Sequence, residues 1–321
     1  MHILIPDNLD QSGLDVLEAT SDVTLHAASK MSREEVLGVI ADADGLIVRS
    51  ATTADAELLA QATHLKVIVR AGVGVDNIDL NEATQRGIIV MNTPQGNTIA
   101  TAEFAFALML ALARHIPQAQ ISMNEGRWDR KSYTGTELRN KTLGLIGFGR
   151  IGQAVARRAQ AFDMTVIASD PYIPASVGTE LGVDLVSLDE VFAQSDYISL
   201  HTLVTEETKG MINATTIAKM KDGVRIINGA RGVLIDDDAL ASAIKSGKVA
   251  GAGIDVYAEE PPEENHPLVG LVNVIYTPHL GASTVEAQES LGVEAAEKIL
   301  NALLKQEYQD VVNREVLSTV S

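Results

Sequence analysis

The chain has 321 residues and a formal net charge of -18, and it contains no cysteine. That length exceeds the usual single core and predicts two domains. The missing thiols exclude disulfides, thiolate catalysis and cysteine-held zinc, and no metal is expected. So acidic a surface repels nucleic acid and anionic lipid, so neither is expected as a partner, and any local cluster of arginines becomes more informative. The start MHILIPDNLD has no basic leader and soon reaches Asp7, unlike a signal peptide. A reducing, cytoplasmic setting is the expectation.

The first third alternates short apolar runs with polar helical stretches. HILIP, VTLHA, GLIVRS, KVIVRAG and IIVMNTP have the Ile, Leu and Val content of buried parallel strands. SREEVLGVIADA and DAELLAQAT read as helices between them, and Ser32 with Glu35 three residues later fits a capping box. After NTPQGN, residues from Thr98 to about Asn124 read as a long helix broken near Pro117. Its apolar run FAFALMLALA, flanked by Glu103 and Arg114, is too short to span a bilayer and predicts a buried helix. The polar GRWDRKSYTGTELRNK carries the only tryptophan. A second alternating series follows: TLGLIGFG, TVIASD, YISLHT, VRIINGA, AGAGIDV and NVIYTPH. The chain closes on the amphipathic STVEAQESLGVEAAEKILNALLKQ and a short tail. Repeated β-α alternation predicts an α/β fold of two doubly wound lobes, each a parallel sheet covered on both faces.

Gly147, Gly149 and Gly152 form G-x-G-x-x-G between an apolar strand and an alanine-rich helix, and Asp170 ends the next strand. Alone the glycine pattern is a weak signal; in that context it predicts a dinucleotide loop. Gly147 permits a tight turn, Gly149 lets the backbone approach a pyrophosphate, and Gly152 lets the helix lie close to the sheet. The helix N-terminus offers N–H groups to phosphates. Asp170 can accept from the ribose hydroxyls and would repel a 2′-phosphate, which favours NAD over NADP.

Ligands of open parallel sheets sit outside the carboxyl ends of the strands. Those ends carry His201 and Thr202, Arg231, Asp255 with Glu259 and Glu260, and His279. Singly, an arginine at a strand end is commonly a surface ion pair and a loop histidine commonly does nothing chemical. Together they form an inventory for handling a hydroxy acid beside a nicotinamide. An arginine fork matches a carboxylate, and a histidine exchanges protons near neutral pH. The small residues Gly229, Ala230 and Gly232 would keep the strand end slim for a nicotinamide and a small acid.

GFGRIG, INGARG, DVYAEEPP and TPHLGAST resemble the motif series of the D-isomer-specific 2-hydroxyacid dehydrogenases, and the resemblance covers essentially the whole chain. It implies two Rossmann-like or flavodoxin-like domains: a discontinuous substrate-binding domain of residues 1-96 and 283-321, and an NAD-binding domain of residues 97-282. Arg231 would bind the substrate carboxylate, His279 would be the acid/base, and Glu260, directly before Pro261, would pair with His279 and raise its pKa. Arg150 and Ile151 would contact the pyrophosphate. Asp255, Thr202 and Ala230, with His279 and Gly281, would line the nicotinamide side.

Within the family, LIVRSAT, RAGVGVDNID, MNTPQGNTIATAE and GRWDRKSYTGTEL resemble members that oxidise D-3-phosphoglycerate. Another 2-hydroxyacid dehydrogenase, such as a hydroxypyruvate or glyoxylate reductase, is the alternative. Arg49 and Ser50 match the phosphate side, with Gly74 and Asn92 as neighbouring contacts. Arg130 or Lys131 would reach across from a second subunit of a homodimer or homotetramer, although a solvated basic turn explains them equally well. The expected substrate is a small anionic 2-hydroxy acid. Leu203 and Glu206 depart from the family, replacing the prolines of H-T-P-L-T-P-E-T. Longer members append serine-binding domains; none would fit in the short tail after QDVVNREVL, so feedback by that route is not expected.

Overall fold

The computed structural model describes residues 1–318. It divides into two compact units, Met1–Asn97 joined by the residues from Ser283 onward, and Thr98–Ala282.

The first unit holds five parallel strands: β1 (His2–Ile5), β2 (Thr24–Ala27), β3 (Gly45–Val48), β4 (Val67–Arg70) and β5 (Ile89–Asn92), in the order β2-β1-β3-β4-β5. Alternate side chains go to opposite faces. Ile3, Ile5, Ile47, Val67 and Val69 pack with Ala295, Ala296 and Ile299 of the helix Val285–Leu300. Leu4, Leu46, Val48 and Ile68 pack with Val36 of the helix Arg33–Val39 and with Leu58 and Leu59 of the helix Ala56–Gln61. The capping box forms: the Ser32 hydroxyl accepts from the Glu35 N–H at 3.3 Å, and the Glu35 carboxylate accepts from the Ser32 N–H at 2.7 Å. The tail runs back along β5. The Val312 N–H donates to Val90 O at 2.8 Å, and the buried Asn313 accepts from the Val90 N–H at 2.9 Å.

The second unit holds seven parallel strands: β6 (Thr142–Ile146), β7 (Thr165–Ser169), β8 (Asp184–Leu185), β9 (Tyr197–Leu200), β10 (Val224–Asn228), β11 (Val249–Ile254) and β12 (Val274–Tyr276). Their order is β12-β11-β10-β9-β6-β7-β8, all parallel. The order reverses between β6 and β9, and such a switch point is where doubly wound sheets bind ligands. Both units are α/β with parallel sheets, as the alternation predicts. The short strand β8 was not anticipated.

The long helix is two helices, Thr98–Arg114 and Ile116–Asn124, bent by 62°. The break lies at His115, whose φ of 52° is left-handed, rather than at Pro117. Pro117 sits in the first turn of the second helix, where a missing N–H costs nothing. The apolar run is buried through Ala105, Phe106, Leu108, Met109 and Leu112. No single helix among the described residues is long and apolar enough to cross a membrane.

Candidate active site

The glycine loop lies at the switch point. Gly147 has a φ of 93°, and a Cβ there would sit 2.4 Å from His201 O, so both conformation and space demand glycine. The helix Arg150–Ala161 begins at Gly149 without a side-chain cap. Its first intrahelical bond is from the Gln153 N–H to Gly149 O at 3.0 Å, so the N–H groups of Arg150, Ile151 and Gly152 precede the ladder. A Cβ on Gly149 would meet nothing within 4 Å, whereas one on Gly152 would sit 2.4 Å from Gly147 O. The open space therefore lies over Gly149, and Gly152 permits close packing of helix against loop. Asp170 follows β7. Its carboxylate accepts from the Phe148 N–H at 2.8 Å and the Tyr172 N–H at 2.9 Å, which fixes it beside the loop. Open space, helix N–H groups and an aimed carboxylate fit the pyrophosphate and ribose of a dinucleotide.

At the end of β10, Asn228 is 1% exposed and organises the turn. Its Oδ1 accepts from the Ala230 N–H at 3.0 Å and its Nδ2 donates to Arg231 O at 2.9 Å. The half-buried Arg231 donates from Nη1 to Ala230 O at 2.6 Å. Gly229 faces open space, as a slim strand end requires. Gly232 has a different cause: a Cβ there would lie 1.9 Å from the carbonyl carbon of Tyr257, so the crossing of two backbones sets it.

Asp255 follows β11, is fully buried, and holds the turn after β12. Its Oδ1 accepts from Thr277 Oγ1 at 2.6 Å and the Leu280 N–H at 2.8 Å, and its Oδ2 accepts from the Gly281 N–H at 2.8 Å. The carboxylate expected to line the nicotinamide side is thus engaged by the turn that carries His279. His279 adopts a left-handed φ of 54°, and its N–H donates to Asp255 O at 2.9 Å. Its Nδ1 lies 2.7 Å from Glu260 Oε2, and Glu260 Oε1 accepts from the Tyr257 N–H at 3.1 Å. The neighbouring Glu259 is exposed. With Glu260 at Nδ1, the opposite nitrogen Nε2 is the one left to exchange a proton.

His201, after β9, accompanies this arrangement. Its N–H donates to Ile146 O at 2.7 Å, and its Nε2 lies 2.8 Å from Ser199 Oγ. Burial pushes its pKa down to about 4, so the ring stays neutral near pH 7. Thr202 is half-buried next to it. Where the expected prolines are missing, threonines knit the loop: Thr208 Oγ1 donates to Leu203 O at 2.7 Å, and the Thr205 N–H donates to Thr208 Oγ1 at 2.8 Å.

In the first unit, the expected phosphate-side residues gather at the carboxyl ends of β3, β4 and β5. Asp7, 4% exposed, shapes the loop by accepting from the Arg49 N–H at 2.6 Å and Thr52 Oγ1 at 2.6 Å. The Arg49 guanidinium donates to Asn8 O at 2.7 Å. Burial pushes it below its ordinary pKa, against the pull of Asp7 and Asp10. Ser50 is exposed and Gly74 half-buried. Asn92 donates from Nδ2 to Val73 O at 2.7 Å, and its own carbonyl accepts from the buried Lys298 Nζ at 2.7 Å. Lys298 also reaches Glu294 and Asp310, each at 2.7 Å. Arg130 and Lys131 lie on an exposed one-turn helix of the second unit, Arg130–Tyr133.

Sheet order, glycine loop and histidine–carboxylate pair together define a doubly wound nucleotide-binding protein equipped for proton exchange. Residues 106–281 match the NAD binding domain of the D-isomer specific 2-hydroxyacid dehydrogenases, and the chain belongs to that family. It is 48% identical over 301 residues to D-3-phosphoglycerate dehydrogenase of Archaeoglobus fulgidus, covering 94% of this chain and 57% of that protein. The chain thus spans little more than half the length of that relative. It is also 48% identical over 301 residues to hydroxypyruvate reductase of Thermotoga maritima, covering 93% of this chain and 97% of that protein. Among solved structures, glyoxylate reductase from Paecilomyes thermophila superposes with a TM-score of 0.88 at 34% identity, covering 98% of each chain.

Proposed function

We propose that the chain oxidises D-3-phosphoglycerate to 3-phosphohydroxypyruvate with NAD. The observation that carries the chemistry is the 2.7 Å contact between His279 Nδ1 and Glu260. Glu260 fixes the tautomer with the proton on Nδ1, so Nε2 can accept the hydroxyl proton of a 2-hydroxy acid. The carboxylate then stabilises the imidazolium that forms. Arg231 binds the substrate carboxylate with its fork and polarises the reacting oxygen. Bound NAD, held by Gly149, Arg150, Ile151 and Asp170, supplies the acceptor for the hydride that leaves C2. The half-buried Arg49, with Ser50, Gly74 and Asn92, holds the phosphate. Assembly as a homodimer or homotetramer belongs to the same reading.

The second reading is a hydroxypyruvate reductase, favoured by the Thermotoga relative that this chain matches almost end to end. A panel of 2-hydroxy and 2-keto acids, with and without phosphate, followed by NADH absorbance, separates the two. NADH formation from D-3-phosphoglycerate, with KM raised about tenfold or more by Arg49→Ala, supports the first. Rapid turnover of hydroxypyruvate, indifferent to Arg49→Ala and without activity on the phosphorylated acid, supports the second. Arg231→Lys keeps the charge and loses the fork, so under either reading most activity should go.

A further inference from the structure

Behind Glu260 and His279 lies a second histidine–carboxylate pair that the reaction above does not use. His266 Nε2 is 3.1 Å from Asp237 Oδ2, with the two side chains 11% and 21% exposed. The Leu268 N–H donates to His266 Nδ1 at 3.4 Å, so Nδ1 carries the lone pair and Nε2 the proton given to Asp237. The ring is fixed at both nitrogens. Asp237 opens the helix Asp237–Ser246, whose Leu240 and Ala241 are buried in the same core as Leu268. The His266 ring meets the Tyr257 ring edge-on, with centroids 5.4 Å apart and planes at 89°.

Tyr257 in turn touches both halves of the site. Its N–H donates to Glu260 Oε1 at 3.1 Å, and its hydroxyl donates to Thr277 O at 3.1 Å. That carbonyl also accepts from the His279 N–H at 3.1 Å. Burial pushes the phenol up to about 12, so the hydroxyl remains a donor near neutral pH. Between the two rings runs AEEPPEEN, residues 258–265, exposed at every position except the half-buried Pro262. Glu260 therefore rides on a solvent-facing loop, and the two rings close the base of that loop.

We infer that Tyr257, His266 and Asp237 are positioning residues: an aromatic clasp across the base of the 258–265 loop holds Glu260 against His279. This rests on the reading of Glu260 and His279 as the reacting pair and deepens it. Among the described residues, none of positions 258–265 belongs to an apolar core cluster, and the loop's backbone meets Gly232 only at its start, two residues before Glu260. With the clasp open, Glu260 would lose its place against Nδ1.

The test compares His266→Ala, His266→Phe, Tyr257→Phe and the His266→Ala/Tyr257→Phe double variant in the full chain. The first readout is the NMR signal of the His279 ring, assigned with His279→Gln, which needs no turnover. His266→Ala should shift or broaden it, and His266→Phe, which keeps an edge-on ring but loses the bond to Asp237, should restore it in part. The second readout is kinetic. His266→Ala should lower kcat about tenfold while leaving NAD affinity within about twofold, since misplacing a reacting group slows the step without weakening cofactor binding. His266→Phe should recover to within about threefold of the parent. The double variant should fall no further than the worse single variant, because both act through one route. A His279 signal untouched by His266→Ala, or fully additive losses in the double variant, overturns the clasp. A parent chain inactive on every 2-hydroxy acid would instead overturn the reaction, and the NMR comparison would still decide the clasp.

Discussion

Asp255→Ala tests whether this carboxylate serves the cofactor or the turn. Its two oxygens accept from Thr277 Oγ1, Leu280 N–H and Gly281 N–H, all at 2.8 Å or less, at a residue with no exposure. Hydrogen bonds to a charged group contribute about 1.5–3 kcal/mol each, and buried donors left unsatisfied cost a similar amount. Water entering the vacated space offsets part of this, so a loss of about 4 kcal/mol is expected. For a unit of this size that corresponds to a fall in Tm of roughly 8–16 °C. Asp255→Asn should cost about half as much, because its amide retains one acceptor and turns one donor against another. Thermal unfolding and NAD titration calorimetry on the same samples make the measurement. If Asp255→Ala left Tm within about 2 °C of the parent while weakening NAD tenfold, the assignment to the turn would be wrong.

Glu260→Gln should lower kcat by about tenfold to a hundredfold, while Glu259→Gln should stay within about twofold; equal effects in steady-state assays would remove the geometric distinction between them. Gly147→Ala should destabilise the second unit by about 3 kcal/mol or more in urea unfolding, because a left-handed φ and a collision with His201 O coincide; a loss below about 1 kcal/mol would refute that account. His201 makes stability depend on pH. Its folded pKa of about 4 lies below the unfolded value near 6.5, so the unfolded chain binds the proton first. Its contribution is complete above about pH 6.5 and is lost as pH falls towards 4, a total of roughly 3 kcal/mol. Urea unfolding of His201→Asn should therefore show a correspondingly shallower pH dependence over that window, and a slope identical to the parent's would contradict it.

The parallel strands were legible because both faces of each sheet are covered, so a run such as GLIV stays apolar without a break. β8 escaped notice because two residues, Asp184 and Leu185, carry no period. The break at His115 was displaced to Pro117 because a left-handed backbone leaves no composition signal, whereas proline does. At the site, the glycine spacing and the strand-end residues could be read from the chain. What supports them could not. Asp255 reaches residues more than twenty positions away, and Tyr257 and His266 meet across a polar loop that reads as solvated turn. Asn228 was within reach, as a polar residue ending an apolar run with small neighbours.

The first unit's sheet is written entirely in the first 97 residues, yet the helix Val285–Leu300 that covers Ile47, Val67 and Val69 comes after the whole second unit. At about 5–20 residues per second, synthesis leaves that face short of its helix for roughly ten to forty seconds. Chains stalled on the ribosome at residue 282 are therefore expected to bind a hydrophobic dye that the released chain does not; equal binding would contradict this. Substitutions that slow translation of the glycine-loop unit would prolong the interval. Aggregation of such chains would then begin at strands those substitutions never touch.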